Sequence, residues 1–487
     1  MKLKRSLLLL VFAWLLSTFS CTWDKLENIG YQCYPDEVGE IIINTCAVSG
    51  CHNAQSKDAA GGLNLSSWEA LFAGGRNNIA VVPYRPDQSI MLFFTNTDST
   101  LGPTLEPTMP FEREPLTNAQ VATLRNWILQ GAPDCEGFVK FSDNPGRAKA
   151  YVCNQGCDLV TVLDLESKLI MRYIDVGATA STESPHNIRI SPDGQYWYVC
   201  FTGGAMFQKF RTSDDSFAGE VSIGIGNWNT FAITSDSKRA FVVNWQADGS
   251  IAVVDLESMT LLQKYQGSAL LQWSHGSALK NDSTLYVTAS IGNFFYKIDV
   301  SDLANPEFEE ITLQPGVAPS TVPKNDPHEI AFSPDQSEYI VTCQRTNEVR
   351  FFNAANDSLI AVVPTGVYPQ EISFSNSTDY VFVSCMEDNV TFPGTTGSVS
   401  VIDYKTHSFV KAVNAGFQPH GIVADDESKQ VFVANRNANP GGPAPHHATS
   451  CAGRNGYLTI IDMNTLDLVP GYRTELSVDP YFVAVRR

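Results

Sequence analysis

Residues 327–335 read Pro-His-Glu-Ile-Ala-Phe-Ser-Pro-Asp, and residues 185–194 read Pro-His-Asn-Ile-Arg-Ile-Ser-Pro-Asp-Gly. Residues 419–426, Pro-His-Gly-Ile-Val-Ala-Asp-Asp, repeat the theme loosely. Each copy opens a unit: a short apolar strand, a Pro/Asp/Gly turn, then an aromatic-Val strand such as Tyr198-Val199. A third strand ends at aspartate (Asp164, Asp255, Asp299, Asp403 and Asp462), and a closing strand follows. Apolar alternation marks these runs as β, and aspartate favours the tight turn after the third strand. A repeat of this length implies four-stranded units packed side by side around a shared core. The first-strand positions are His186, Asn229, His275, His328, Gln370 and His420. A seventh lies at Asp479-Pro480-Tyr481-Phe482-Val483, too near the chain end to begin a new unit. It completes the unit that starts at Ala148, which lacks a first strand. That stitch closes seven units into a ring over residues 148–487 and removes the free sheet edges.

The tetrapeptides Tyr151-Val-Cys-Asn154, Phe241-Val-Val-Asn244 and Phe432-Val-Ala-Asn435 resemble the YVTN family of β-propeller repeats. The resemblance implies a mainly β chain with a seven-bladed β-propeller. It says little about activity, because propellers bind, scaffold and catalyse alike.

Ahead of the repeats, Cys46, four residues, Cys51 and His52 follow an apolar run. Two thiols beside an imidazole are what covalent haem attachment uses, and the common spacing has two residues between the cysteines rather than four. A Cys46–Cys51 disulfide and a zinc site are the competing readings, but no further zinc ligands stand nearby and a disulfide leaves His52 unexplained. Downstream, Thr108-Met109-Pro110 precedes a helix with the capping box Thr117-x-x-Gln120 and the apolar face Val121, Leu124, Trp127 and Ile128. Glu40 to Pro133 thus resembles the small c-type cytochrome domains of environmental bacteria. The resemblance implies a small α-helical domain over 37–135, with haem c on Cys46 and Cys51. It also implies His52 as proximal iron ligand and Met109 as distal ligand, with Met91 as the rival. His/Met ligation raises the potential of a one-electron carrier. Cys33 and Cys135 bracket the domain and are expected to pair. That closes a loop worth on the order of 4 kcal/mol in the chain-entropy model. Residues 136–147 are read as a linker.

Residues 1–20 read as an export signal: Lys2, Lys4 and Arg5, an apolar run Leu7–Leu16, then small residues. Ser20-Cys21 resembles a bacterial lipoprotein processing site, although Thr18 stands where Leu is usual and Phe19 where a small residue is usual. The resemblance implies lipidation of Cys21, a tether over 21–36, and an exported protein anchored in a membrane and facing the periplasm or cell surface. The alternative is ordinary signal cleavage nearby.

Eight histidines occur in the chain. His186, His275, His328 and His420 start innermost strands of units two, four, five and seven, which places them at one mouth of the channel. The long loop 437–455 opens on that face and adds His446, His447 and Cys451. Neutral imidazole suits copper, zinc, iron or nickel, with copper ranked first on imidazole preference. The competing explanation is that histidine is merely tolerated at the variable position of a Pro-x-Gly or Pro-x-Glu strand start. The arrangement is similar to that of the nitrous oxide reductases, which hold copper on propeller histidines. This chain lacks their cupredoxin domain and is short of their histidine count. His407 is expected to be solvated on the far face. Cys343 and Cys385 are expected to be buried small hydrophobes, and Cys153 to pair with Cys157.

The net charge of −19 excludes a phosphate-backbone binder, so nucleic acid is not an expected partner. Three functions follow. One is a redox protein that passes electrons between an unidentified partner protein and the histidine-rich mouth. The second is a non-catalytic module whose propeller docks a protein or glycan while the cytochrome serves electron transfer. The third drops haem and leaves a surface-binding propeller lipoprotein.

Overall fold

The computed structural model describes residues 30–266, 271–446 and 451–487. The signal segment, Cys21 and His447 therefore lie outside the described residues. Residues 148–487 form seven antiparallel sheets arranged as blades. The innermost strands, from blade 1 to blade 7, are Pro480–Arg486, Pro185–Ile190, Trp228–Ile233, Ser274–Asn281, Pro327–Phe332, Pro369–Phe374 and Pro419–Asp425. Each contacts the innermost strands on either side, which closes the ring. Blade 1 takes its innermost strand from the chain's far end, where Tyr151 pairs Ala484 and Val152 pairs Val483.

Second and third strands are buried on both faces, because blades pack against each other face to face. Lys149–Asn154 and Leu159–Asp164 are buried at every position. Fourth strands face solvent, as Phe217–Ser222 and Glu307–Thr312 show. The innermost strands share one irregularity: an extra residue just after the start, as between Pro327 and Ile330 against Cys343 and Val341. The same shift recurs in all seven blades. Such a bulge bends the strand and re-aims the side chains beside it, here toward the axis. Gly276 and Gly421 mark where inner strands crowd, since a Cβ there would sit 2.5 Å from the His328 carbonyl oxygen and 2.6 Å from that of Tyr481.

The N-terminal region is less helical than a small helical domain was expected to be. It carries four short α-helices: α1 (Asp36–Ile41), α2 (Trp68–Leu71), α3 (Ile90–Thr95) and α4 (Asn118–Leu129). Irregular chain and single 3-10 turns fill the rest. α1 runs on into a wider turn over Ile42–Cys46. α4 begins at the reciprocal Thr117/Gln120 cap and packs on α1. With so little regular structure, aromatic side chains hold the loops by satisfying their carbonyls. Tyr34 Oη donates to Ser67 O (2.9 Å), Trp68 Nε1 to Ala132 O (2.9 Å) and Trp127 Nε1 to Pro133 O (2.8 Å). Cys33 and Cys135 are joined in a disulfide, which ties the two ends of this region together.

This region does not hang free of the propeller. One continuous apolar cluster runs from Tyr34, Leu71 and Trp127 into Leu163 and Ile170 of blade 1 and Ile460 of blade 7. Asn78 reaches the fourth strand of blade 1, donating to Lys168 O (2.9 Å) and accepting from Ile170 N (2.8 Å). Arg85 donates to Tyr173 O (2.8 Å) and pairs with Asp175. Consequently the fourth strand of blade 1, Ile170–Asp175, is largely buried, unlike the fourth strands of blades 2 to 6. A sheet edge that would otherwise be open is covered.

Candidate functional site

The bulged starts of the innermost strands turn four imidazoles into the channel. His186 (blade 2) lies 6.0 Å from His275 (blade 4), centroid to centroid, and His328 (blade 5) lies 5.8 Å from His420 (blade 7). Both contacts skip a blade, so they are made across the axis rather than along the wall. His275 and His328 are 3.9 Å apart. Tyr481, from the C-terminal strand, closes the circuit at 3.7 Å from His420 and 4.1 Å from His186. All five side chains are buried.

Beside the imidazoles lies a carboxyl layer. Glu371 Oε1 is 4.0 Å from His420 Nδ1, and ligand atoms of His328, Glu371 and His420 all fall within 4.8 Å of one another. Glu371 interacts directly with Glu329, and burial together with that neighbour pushes the Glu371 carboxyl well up. Burial raises Glu329 too, against the opposing pull of Arg189. At the rim, Arg436 makes a two-pronged pair with Asp479 (2.6 and 2.8 Å) and lies over the Tyr481 ring.

Burial also dictates the charge of the imidazoles. It depresses all four, His275 to about 4, so they are neutral at pH 7 and present lone pairs. His186 Nδ1 is held by the Gln155 amide (3.1 Å), and His420 Nδ1 bonds the Tyr481 carbonyl (3.2 Å). His186 Nε2, His275 Nδ1, His328 Nδ1 and His420 Nε2 are buried without a hydrogen-bond partner. An unpartnered buried polar atom costs about 1–3 kcal/mol, so four on one ring call for a ligand or ordered water.

Of the five expected histidines among the described residues, four meet. His446 is exposed, its backbone N–H donating to Glu475, and among the described residues no ring contact joins it to the four. Cys451 pairs with Cys157 rather than standing open as a ligand. That disulfide ties the blade 7 insertion to the blade 1 loop. The expected Cys153–Cys157 pair is therefore corrected: Cys153 is a buried thiol inside a second strand. Cys343 and Cys385 are likewise buried thiols. His407 is not simply solvated, because its Nε2 meets Glu338 Oε2 of blade 5 at 2.8 Å.

Sequence reasoning missed Glu329, Glu371, Tyr481 and Arg436. A signal for the first two was present: each directly follows the channel residue in a Pro-x-Glu start, and a bulge there lets both neighbours face inward. Strict two-residue alternation sends every second side chain away from the axis and hides this.

In the N-terminal region, Cys46 and Cys51 are free thiols, half-buried, and not joined to each other. Burial and the neighbouring Cys51 raise the Cys46 thiol, while a hydrogen bond with Thr45 opposes them. The loop between them is folded back by Cys51 N–H to Val48 O and His52 N–H to Cys46 O, both 3.1 Å. His52 Nδ1 lies 3.3 Å from Leu63 O. Met109 is half-buried, with its N–H on Phe94 O at 2.7 Å, whereas Met91 is packed in the core. Two free thiols and an imidazole thus stand at one short loop.

No family model matches the chain, and no curated protein matches it by sequence. Among solved structures, hydrazine synthase of Kuenenia stuttgartiensis aligns at 19% identity with a TM-score of 0.44, over 60% of this chain and 81% of its own. A functionally unknown protein of Desulfotomaculum acetoxidans DSM 771 aligns at 13% identity with a TM-score of 0.53, over 69% of this chain and 98% of its own. What this chain shares with the latter is its fold, and the blades counted above make that fold a seven-bladed β-propeller.

Proposed function

We propose that this chain is an exported electron-transfer protein, carrying haem c through Cys46 and Cys51 on a region docked rigidly to the propeller. The observation behind it is the His52 arrangement: a ring engaged at Nδ1 by the Leu63 carbonyl, with two unpaired thiols alongside. Each thiol adds across a vinyl group, so attachment needs no oxidant. Bound haem supplies one-electron transfer. Leu63 would steady the His52 ring as an iron ligand, and Met109 would supply a thioether, which favours a raised potential. Asn78 and Arg85 keep the carrier at one fixed place on blade 1. The basic and apolar pattern of residues 1–20 and the Ser20-Cys21 junction support export and a lipid anchor, facing the periplasm or cell surface, with a redox protein as partner.

A second reading, a non-catalytic propeller that binds a protein or glycan, is favoured by Phe217, Leu261, Leu262, Ile360 and Val362, which expose apolar surface on outer strands. The pyridine haemochrome spectrum of the full chain, made in a host able to attach haem, decides between them. One covalent haem per chain, lost in Cys46→Ala/Cys51→Ala, supports electron transfer. A colourless protein from such cells overturns it and leaves the binding reading.

A further inference from the structure

We propose that His328, Glu371 and His420 hold a divalent transition-metal ion in the propeller channel. Their ligand atoms lie within 4.8 Å of one another and all three residues are buried. A bound ion wants bonds of about 2.0–2.2 Å, and hence ligand atoms roughly 3.4 Å apart, so the three must draw in by about an ångström. Two imidazoles aimed at one ion place their ring centres roughly 5 Å apart or a little more, and His328 and His420 stand at 5.8 Å. His275 and His328 stand at 3.9 Å, too close for both rings to point at the same ion. His275 therefore flanks the ion, as does His186, while His328, Glu371 and His420 bind it.

The independent sign of a ligand is the set of orphaned atoms. His328 Nδ1 and His420 Nε2 have no partner in the protein, and neither do His186 Nε2 and His275 Nδ1 around them. His420 has the form of a metal-binding histidine: one nitrogen is fixed on the Tyr481 carbonyl and the other is left open. The nearby Arg436 guanidinium is paired with Asp479.

The carboxylate changes which ion fits. Copper ranked first on imidazoles alone, but two imidazoles and one carboxylate form the donor set of zinc and ferrous sites that keep open positions. With three protein ligands, such an ion keeps a place for water or a small anion.

The test uses zinc and the full chain, stripped with a chelator, dialysed against Zn²⁺ and analysed for metal. One zinc per chain is expected, together with a rise in melting temperature on adding zinc. Glu371→Gln, and separately His420→Gln, should weaken zinc binding by about 100-fold or more, since even outer-shell changes cost 10–100-fold. His407→Gln, on the opposite face, should retain the zinc. Failure of the wild type to hold zinc and to gain melting temperature overturns the proposal without reliance on any variant. So does equal zinc binding by Glu371→Gln and His407→Gln. Zinc is counted apart from porphyrin iron, so a colourless protein that holds zinc leaves this site standing, and a red one without zinc removes it.

Discussion

The Asn78 side chain accepts the backbone N–H of Ile170 at 2.8 Å, and with that bond a loop of the N-terminal region becomes the neighbour that blade 1's outer strand would otherwise lack. The same amide donates to Lys168 O and to Thr474 Oγ1 of blade 7, so one buried residue bridges three segments.

Asn78→Ala leaves the Ile170 N–H and the Lys168 carbonyl unpaired at a buried junction. The expected cost is about 2–3 kcal/mol. It should appear as cleavage of the 136–147 connection by a protease at concentrations that spare the wild type. Unchanged protease resistance and melting temperature would show that the apolar contact alone holds the two parts.

Cys157→Ser removes the link between the blade 7 insertion and blade 1, a sequence separation of 294 residues. The chain-entropy model puts such a closure at about 6 kcal/mol. Denaturant midpoints should fall for the variant, and variant and wild type should coincide once both are under reductant, which also opens Cys33–Cys135. Alkylation of the unfolded, unreduced protein should spare Cys157 and Cys451.

The two methionines separate by position. Met91 is buried in the core, so Met91→Leu should cost under about 1.5 kcal/mol and leave any haem spectrum untouched. Met109→His should lower the haem potential, because imidazole replaces the thioether that favours ferrous iron. Redox titration of both variants checks this, and the reverse pattern would make Met91 the ligand.

Asp426 of blade 7 receives hydrogen bonds from Ser375 Oγ (2.6 Å), Ser377 Oγ (2.6 Å) and Asn376 N (2.8 Å) of blade 6. Burial opposes its ionisation, but these bonds win and hold the carboxyl down at about 2. A depressed carboxyl stabilises the fold above the unfolded value near 3.9 and loses that effect as pH falls through 2. Asp426→Asn should therefore lower stability by a constant amount above about pH 4.5. The gap from wild type should narrow below that, as urea unfolding across the range would show.

Much of the architecture was written in the chain because a blade is local. Pro327-His328-Glu329-Ile330 and its copies mark strand starts, Asp164 and its counterparts mark strand ends, and Pro480-Tyr481 had no blade to belong to except the first. The channel was half legible. His186, His275, His328 and His420 could be placed at the axis by counting units, but Glu371 needs the bulge and Tyr481 needs the ring already closed. Partners across long separations were the least legible, since Cys451 is adjacent to Cys157 only once blades 7 and 1 meet. Cys33 and Cys135 were easier because they bracket a single region.

The pairing of Val152 with Val483 has a bearing on how the molecule is made. Blades 2 to 7 draw all their strands from contiguous chain and can form in order as synthesis proceeds. Blade 1 waits with an unpaired inner edge until the very last strand is delivered. Closure of that one seam is then a late, entropically slow event. Until it happens neither Tyr481 nor the Cys157–Cys451 bond can be in place, and an arrested or truncated copy should accumulate as an open, sticky arc rather than as a smaller ring.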